Sequence, residues 1–242
     1  MSSTARRVAI LISGRGSNMV ALIRAAKDPA FPAQIVGVVS DKSDAAGLKL
    51  AEVEGIPNRA IQRKDFADKH AHEAAIDAAL AEMGAEIVCL AGYMRLLTAE
   101  FTQRWQGRMI NIHPSLLPSF KGLESHARAL EAGLTIHGCT VHFVTPDMDA
   151  GPIIMQAAVP VLPGDDVAAL SARVLKAEHQ IYPAALRMVA TGDVAMQGGR
   201  AILARPELYA TSGPMLYSPL PVSTATDRDG SIDLETLARS TP

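Results

Sequence analysis

VAILISGRGSN, residues 8–18, reads as a buried strand, a glycine turn and the opening of a helix, and that reading decides the fold. An unbroken apolar run of this length suits a strand covered on both faces. Gly14 and Gly16 let the chain turn sharply and let a ligand approach the backbone. The free N–H groups of the helix that follows can then bind an anion such as phosphate. The turn lacks the last glycine of a dinucleotide fingerprint and the GK[ST] of a P-loop, which argues against NAD and ATP. The plain alternative is a tight turn without a ligand.

Outward from this unit, strand-length runs alternate with helical patterns to about residue 165. Residues 34–40 (QIVGVVS) form the second predicted strand, and 44–54 a helix closed by Gly55. After a short run at 59–62, Asp65 can cap a long helix ending at Gly84. The unbroken EIVCLA at 86–91 predicts a central strand, and a helix near 98–105 leads to a strand at 108–113. Then come the SLLPSFKG loop, a helix at 125–131 and strands at 140–144 and 153–161. Val167, Leu170, Val174 and Ile181 give the apolar stripe of a last long helix. This alternation predicts an α/β fold with a doubly wound, mainly parallel sheet, and ligands at the carboxyl ends of strands where the winding reverses. Past about Ala204, Pro, Ser, Thr, Gly and Asp dominate, so we expect one domain over 1–204 and an irregular tail over 205–242.

Composition narrows the function. The chain of 242 residues is 48% hydrophobic, enough for a substantial core, and its net charge of −2 makes no case for nucleic acid or an anionic membrane. No apolar run approaches the ~20 residues of a membrane span. MSSTARR runs straight into a strand rather than a signal-peptide core, so the expected location is cytoplasmic. Cys89 and Cys139 each lie in an apolar run without a CxxC partner and read as buried free thiols. His70 and His72 lie on a charged helix and read as solvated.

The chemistry concentrates in RMINIHPSLLP, residues 108–118. Ile110 and Ile112 fall on one face of the strand, Asn111 and His113 on the other, and Pro114 stops the ladder. An amide and an imidazole side by side at a strand end would aim two donors into a crevice, suited to a developing oxyanion. A lone histidine is otherwise a structural residue. VHFVTPDMDAGP, at 141–152, carries Asp147 and Asp149 on a loop, and a carboxylate there within reach of His113 would favour the imidazolium. Asp149 also suits a plain Asx turn. No HExxH-like spacing supports a metal, since His137 and His142 are five apart on a strand and face opposite sides. No GxSxG elbow supports serine hydrolysis.

LISGRGSN, LAGYMRLL, INIHPSLLPSFKG, HGCTVHFVTPDMDAGPI and AEHQIYP, in this order between about residues 7 and 192, resemble the folate-dependent phosphoribosylglycinamide formyltransferases. The resemblance implies transfer of the formyl group of 10-formyltetrahydrofolate to the amine of glycinamide ribonucleotide, through a tetrahedral intermediate, in purine synthesis. It implies that Asn111, His113 and Asp149 are catalytic, and that Gly16, Ser17, Asn18 and Glu178 hold the ribonucleotide. It places Lys69, Met94, Arg95, Leu96, Leu97, Asn111, Thr145, Pro146, Asp147, Met148 and Asp149 at the folate co-substrate, without a metal. The expected state is a monomer or homodimer. Glu124 departs from the family's GLHxH, standing where the first histidine is usual, while His126 keeps the second. A formyltetrahydrofolate deformylase would carry an N-terminal regulatory domain, for which the residues before Val8 leave no room. The initiator methionyl-tRNA formyltransferase would need a basic C-terminal domain, which this tail cannot supply. The alternative outside catalysis is a folate- or nucleotide-binding module.

Overall fold

In the computed structural model, which describes residues 5–205, seven strands form one sheet in the order β3-β2-β1-β4-β5-β6-β7. The strands are β1 (Arg6–Ile12), β2 (Ala33–Ser40), β3 (Asn58–Ala60), β4 (Ile87–Leu90), β5 (Met109–His113), β6 (Ile136–Phe143) and β7 (Ile153–Pro160). β1 to β5 pair in parallel, whereas β6 and β7 are antiparallel. The chain between β6 and β7 is too short for the crossover that parallel pairing needs. The expected fold class stands, with this antiparallel edge added.

The helices are α1 (Ser17–Ala26), α2 (Ala46–Val53), α3 (Lys69–Glu82), α4 (Ala99–Arg104), α5 (Ser125–Glu131) and α6 (Val167–Thr191). Alternation along the strands splits the core in two. Val8, Ile10, Ile12, Ile110 and Ile112 pack against Met19 and Leu22 of α1 and Leu170 and Val174 of α6. Ala9, Leu11, Val88 and Met109 pack against Ile76 and Leu80 of α3 and Phe101 of α4. Tyr182 of α6 donates to the Leu90 and Ile110 carbonyls at 2.9 and 3.2 Å, staking the helix across β4 and β5. The winding reverses between β1 and β4, and their loops are laced there by Ser13 N–H to the Gly92 carbonyl at 3.1 Å.

Two local expectations are corrected, and one element is new. Asp68, not Asp65, caps α3, accepting from Ala71 N at 2.8 Å, while Asp65 closes a short 3-10 turn ahead of it. His72 is buried rather than solvated, its Nε2 lying 2.8 Å from the Ile61 carbonyl oxygen, because α3 turns it onto the sheet beside Ile76. Beyond α6 an unforeseen hairpin forms from β8 (Val194–Gln197) and β9 (Arg200–Leu203), its turn made by Gly198 and Gly199, both at positive φ. Cys89 and Cys139 are free and buried. The tail expected past Ala204 lies, apart from Arg205, outside the described residues. Among the described residues no helix is long and apolar enough to cross a membrane.

Candidate active site

The carboxyl ends of β1 and β5 and the loop after β6 supply the polar groups. Gly16 takes φ +75°, and a side chain there would press on Gly47 at the start of α2. Side chains cap α3, α4 and α6, but none caps α1, so the N–H groups of its first turn keep their capacity for an anion. Within that first turn, the Asn18 amide donates to the buried Glu178 carboxylate at 2.7 Å, joining α1 to α6. Burial raises the Glu178 carboxyl above its ordinary range, opposed by the Asn18 hydrogen bond and by nearby His113. The other Asn18 atom, Oδ1, is buried without a partner. Buried polar atoms are rarely left so unless a ligand completes them.

On β5, Asn111 and His113 share a face as the alternation requires, and antiparallel pairing sets His142 of β6 directly opposite Asn111. The loop after β6 folds back over this face. Gly151 makes the fold possible, since a Cβ there would sit 1.7 Å from the Phe143 carbonyl oxygen. The return brings the Asp149 carboxylate to 3.4 Å from His113 Nδ1 and 3.8 Å from His142 Nε2. Asp149 holds φ +49°, a conformation that aspartate tolerates better than most residues but still strained. Its Oδ2 accepts the Gly122 N–H at 2.8 Å, so the residue does more than form a local turn.

The donors of this face are turned onto one another, not into open space. The neutral form of His142 is favoured by burial. With its Nδ1 on the Phe143 carbonyl at 2.9 Å, its Nε2 is left to accept from Asn111 Nδ2 at 3.2 Å. His113 Nε2 donates to the Phe120 carbonyl at 3.0 Å. Phe120 and Glu124 both take left-handed φ, near +54° and +56°, so the loop covering His113 is itself strained. Glu124, the departure from the family pattern, is exposed and precedes α5 without a side-chain cap.

The remaining residues divide. Met94 and Leu96 after β4, Leu123 after β5 and Met148 after β6 leave large apolar side chains more than half exposed on loops that border the cleft. Leu97 instead is half-buried and packs against the core. The Arg95 guanidinium is occupied by the buried Asp41 carboxylate at 2.6 Å. Thr145 and Pro146 line a groove of about 210 Å³ against Thr102, Gln103 and Met196, and Asp147 is exposed. Lys69 opens α3, and no hydrogen bond or ion pair joins it to the His113 group. Among the described residues no cluster of His, Cys, Asp and Glu is arranged to hold a metal ion. Sequence reasoning missed His142, which only the strand register sets opposite Asn111, and the buried anchors Asp41 and Glu73.

Residues 6–186 match the formyl transferase family. The chain is 56% identical over 78% of its length to a trifunctional purine biosynthetic protein of Homo sapiens, but spans only 19% of that relative. It is 41% identical to the phosphoribosylglycinamide formyltransferase of Haemophilus influenzae, covering 82% of this chain and 93% of that one. A crystal structure of phosphoribosylglycinamide formyltransferase from Brucella melitensis superposes with a TM-score of 0.75 at 59% identity, over 78% of this chain and 97% of that one.

Proposed function

The chain belongs to the formyl transferase family, and from that premise we propose that it transfers the formyl group of 10-formyltetrahydrofolate to the amine of 5'-phosphoribosylglycinamide in purine biosynthesis. The observation that carries this reading is the convergence of Asn111, His113 and Asp149, from β5 and the loop after β6, on one face. The reading assigns the catalytic unit to residues 1–204 and expects a cytoplasmic monomer or homodimer, with neither nucleic acid nor membrane as partner. The uncapped first turn of α1, Gly16, Ser17, Asn18 and Glu178 would take the ribonucleotide. Lys69, the 94–97 segment and the Thr145, Pro146, Asp147, Met148 and Asp149 loop would border the formyl donor.

Chemically, the uncharged amine attacks the formyl carbon and negative charge gathers on the formyl oxygen. Asn111 donates its amide N–H to that oxygen, an amide that here rests on His142. His113 supplies the second donor and passes a proton to the leaving folate nitrogen, which requires its ring to release the Phe120 carbonyl. Asp149 orients the ring and receives the proton lost by the amine, so one proton is taken up and one given back. Holding both substrates in place removes much of the entropic barrier without a covalent intermediate.

The test is ultraviolet absorbance with 10-formyl-dideazafolate, with and without glycinamide ribonucleotide. A change that needs both ligands supports transfer. One that needs only the folate makes the protein a deformylase, and none at all leaves a binding module.

A further inference from the structure

The segment between β4 and α4 contains no ladder and no helical turn, yet three buried polar side chains from three other elements hold it. At its start, Ser13 Oγ accepts the Met94 N–H at 2.8 Å. In its middle, Asp41, just past β2, accepts from Arg95 Nε at 2.6 Å with its own side chain only 1% exposed. At its end, Glu73 of α3 accepts the Thr98 N–H at 2.9 Å and, through its second oxygen, the Thr98 hydroxyl. Between these fixings only Leu97 turns inward, while Met94 and Leu96 stand out from the surface.

Burying two carboxylates at the edge of an apolar core is costly unless the bonds they make are worth keeping. Each spends its charge on this one segment. A local fold needs no such pair, because the β4–α4 connection has Gly92 for its turn and the Thr98 side chain as the cap of α4. What the bonds add is a fixed path for an otherwise irregular backbone and a fixed outward aim for Met94 and Leu96. We propose that Asp41 and Glu73, with Ser13, are positioning residues for the formyl donor: they clamp Met94 to Thr98 and set folate affinity without touching the folate. The inference rests on the reading of 94–97 as a folate-bordering segment. It reassigns the Arg95 side chain from ligand contact to anchor.

The experiment compares Glu73→Gln and Asp41→Asn with the wild type by steady-state kinetics, and by direct titration of the folate analogue 10-formyl-dideazafolate. Loss of one charge-assisted hydrogen bond implies a rise in KM and Kd for the folate of about tenfold for Glu73→Gln. A smaller rise is expected for Asp41→Asn, whose amide oxygen can still accept from Arg95. The kcat and the ribonucleotide KM should stay within about twofold, and amide exchange across 92–98 should quicken. If both KM values rise together with a falling Tm, or if folate Kd is unmoved, the clamp is refuted. Should Glu73→Gln fail to fold, Asp41→Asn, on the other side of the segment, decides the matter by the same ratio. If the wild type binds the analogue but transfers nothing, the functional reading fails while the Kd ratio still judges the clamp.

Discussion

The glycine turn at 14–18 and the loop at 144–152 both deliver polar groups to one end of the sheet, but they are held in different ways. The turn is flanked by a strand buried from Val8 to Ile12 and a ten-residue helix, and its Asn18 is tied to Glu178 by a buried hydrogen bond. Its course is set by the strand and helix that flank it, and hydrogen bonds from Gly47 to Gly14 and from Ser13 to Gly92 brace it from further along the chain. The 144–152 loop has no regular structure, reaches back because Gly151 has no side chain, and carries a left-handed Asp149. Its partners, His113 and Gly122, are distant in sequence. The backbone of the turn is therefore held in place already, while Asn18 Oδ1 stays buried without a partner. The loop holds its groups on one another, Asp149 on His113 and on the Gly122 N–H.

The largest effects should fall on the loop side. Asn111→Ala and His113→Ala should each lower kcat by about 10²–10³ with folding kept, the usual loss for one oxyanion donor. Asp149→Asn is the sharper probe, because asparagine accepts the left-handed backbone and only the charge is lost. A variant of any of the three with near wild-type kcat would break the comparison. Next in size is a pair of glycine substitutions. Gly151→Ala drives a methyl into the Phe143 carbonyl, while a methyl on Gly14 meets nothing within 4 Å. Crowding of that kind costs about 1–3 kcal/mol or more, and each kcal/mol is worth about 2–4 °C in a chain of this size. Melting curves should show Gly151→Ala lowered by several degrees and Gly14→Ala unmoved.

The same contrast explains what could be read from the residues alone. The strands and helices around residues 8–131 announce themselves through period and caps, and α5 falls at 125–131 as expected. Asn111 and His113 share a face because strand geometry leaves no choice. What a linear reading lacks is register. Nothing local says that β6 runs antiparallel to β5, so His142 could not be set opposite Asn111. Likewise nothing local says that Asp41 and Glu73 face the same irregular segment. The β8–β9 hairpin is hard to read because each strand is only four residues long, too short for an alternation to show. Asp68 and Asp65 are both good caps, and only the observed start of α3 chooses between them.

A test on the turn side separates function from stability. Burial holds the Glu178 carboxyl above its ordinary range, so the folded protein binds a proton there more tightly than the unfolded chain does. At neutral pH the buried charge is therefore a cost to folding. Glu178→Gln removes that cost while its side-chain oxygen can still accept from Asn18. The expected outcome is a Tm that holds or rises, with a ribonucleotide KM raised about tenfold, as for loss of one charged hydrogen-bond partner. A fallen Tm with unchanged KM would make Glu178 a structural strut.

The smallest effect has the opposite sign with pH and belongs to the side of His113 and its covering loop. His137 is buried, with Nε2 unpartnered and its ring 6.1 Å from Phe120 and 5.3 Å from His126. Burial, with the neighbouring histidine, pushes it down to about 4 from the ordinary 6.5. The fold thus holds the neutral ring, while the unfolded chain takes up a proton near the ordinary value. Stability must fall as pH drops from about 6.5 towards 4, where Glu178 contributes in the reverse sense. His126, His142 and His179 are lowered too and add to the same slope. His137→Phe keeps an aromatic ring against Phe120 and His126 but cannot titrate. Urea unfolding followed by circular dichroism at pH 7 and pH 5 should show a smaller loss for this variant than for the wild type, without abolishing the loss. An unchanged slope would mean that the ring is protonated in place, and that this end of the cleft tolerates charge as well as the other.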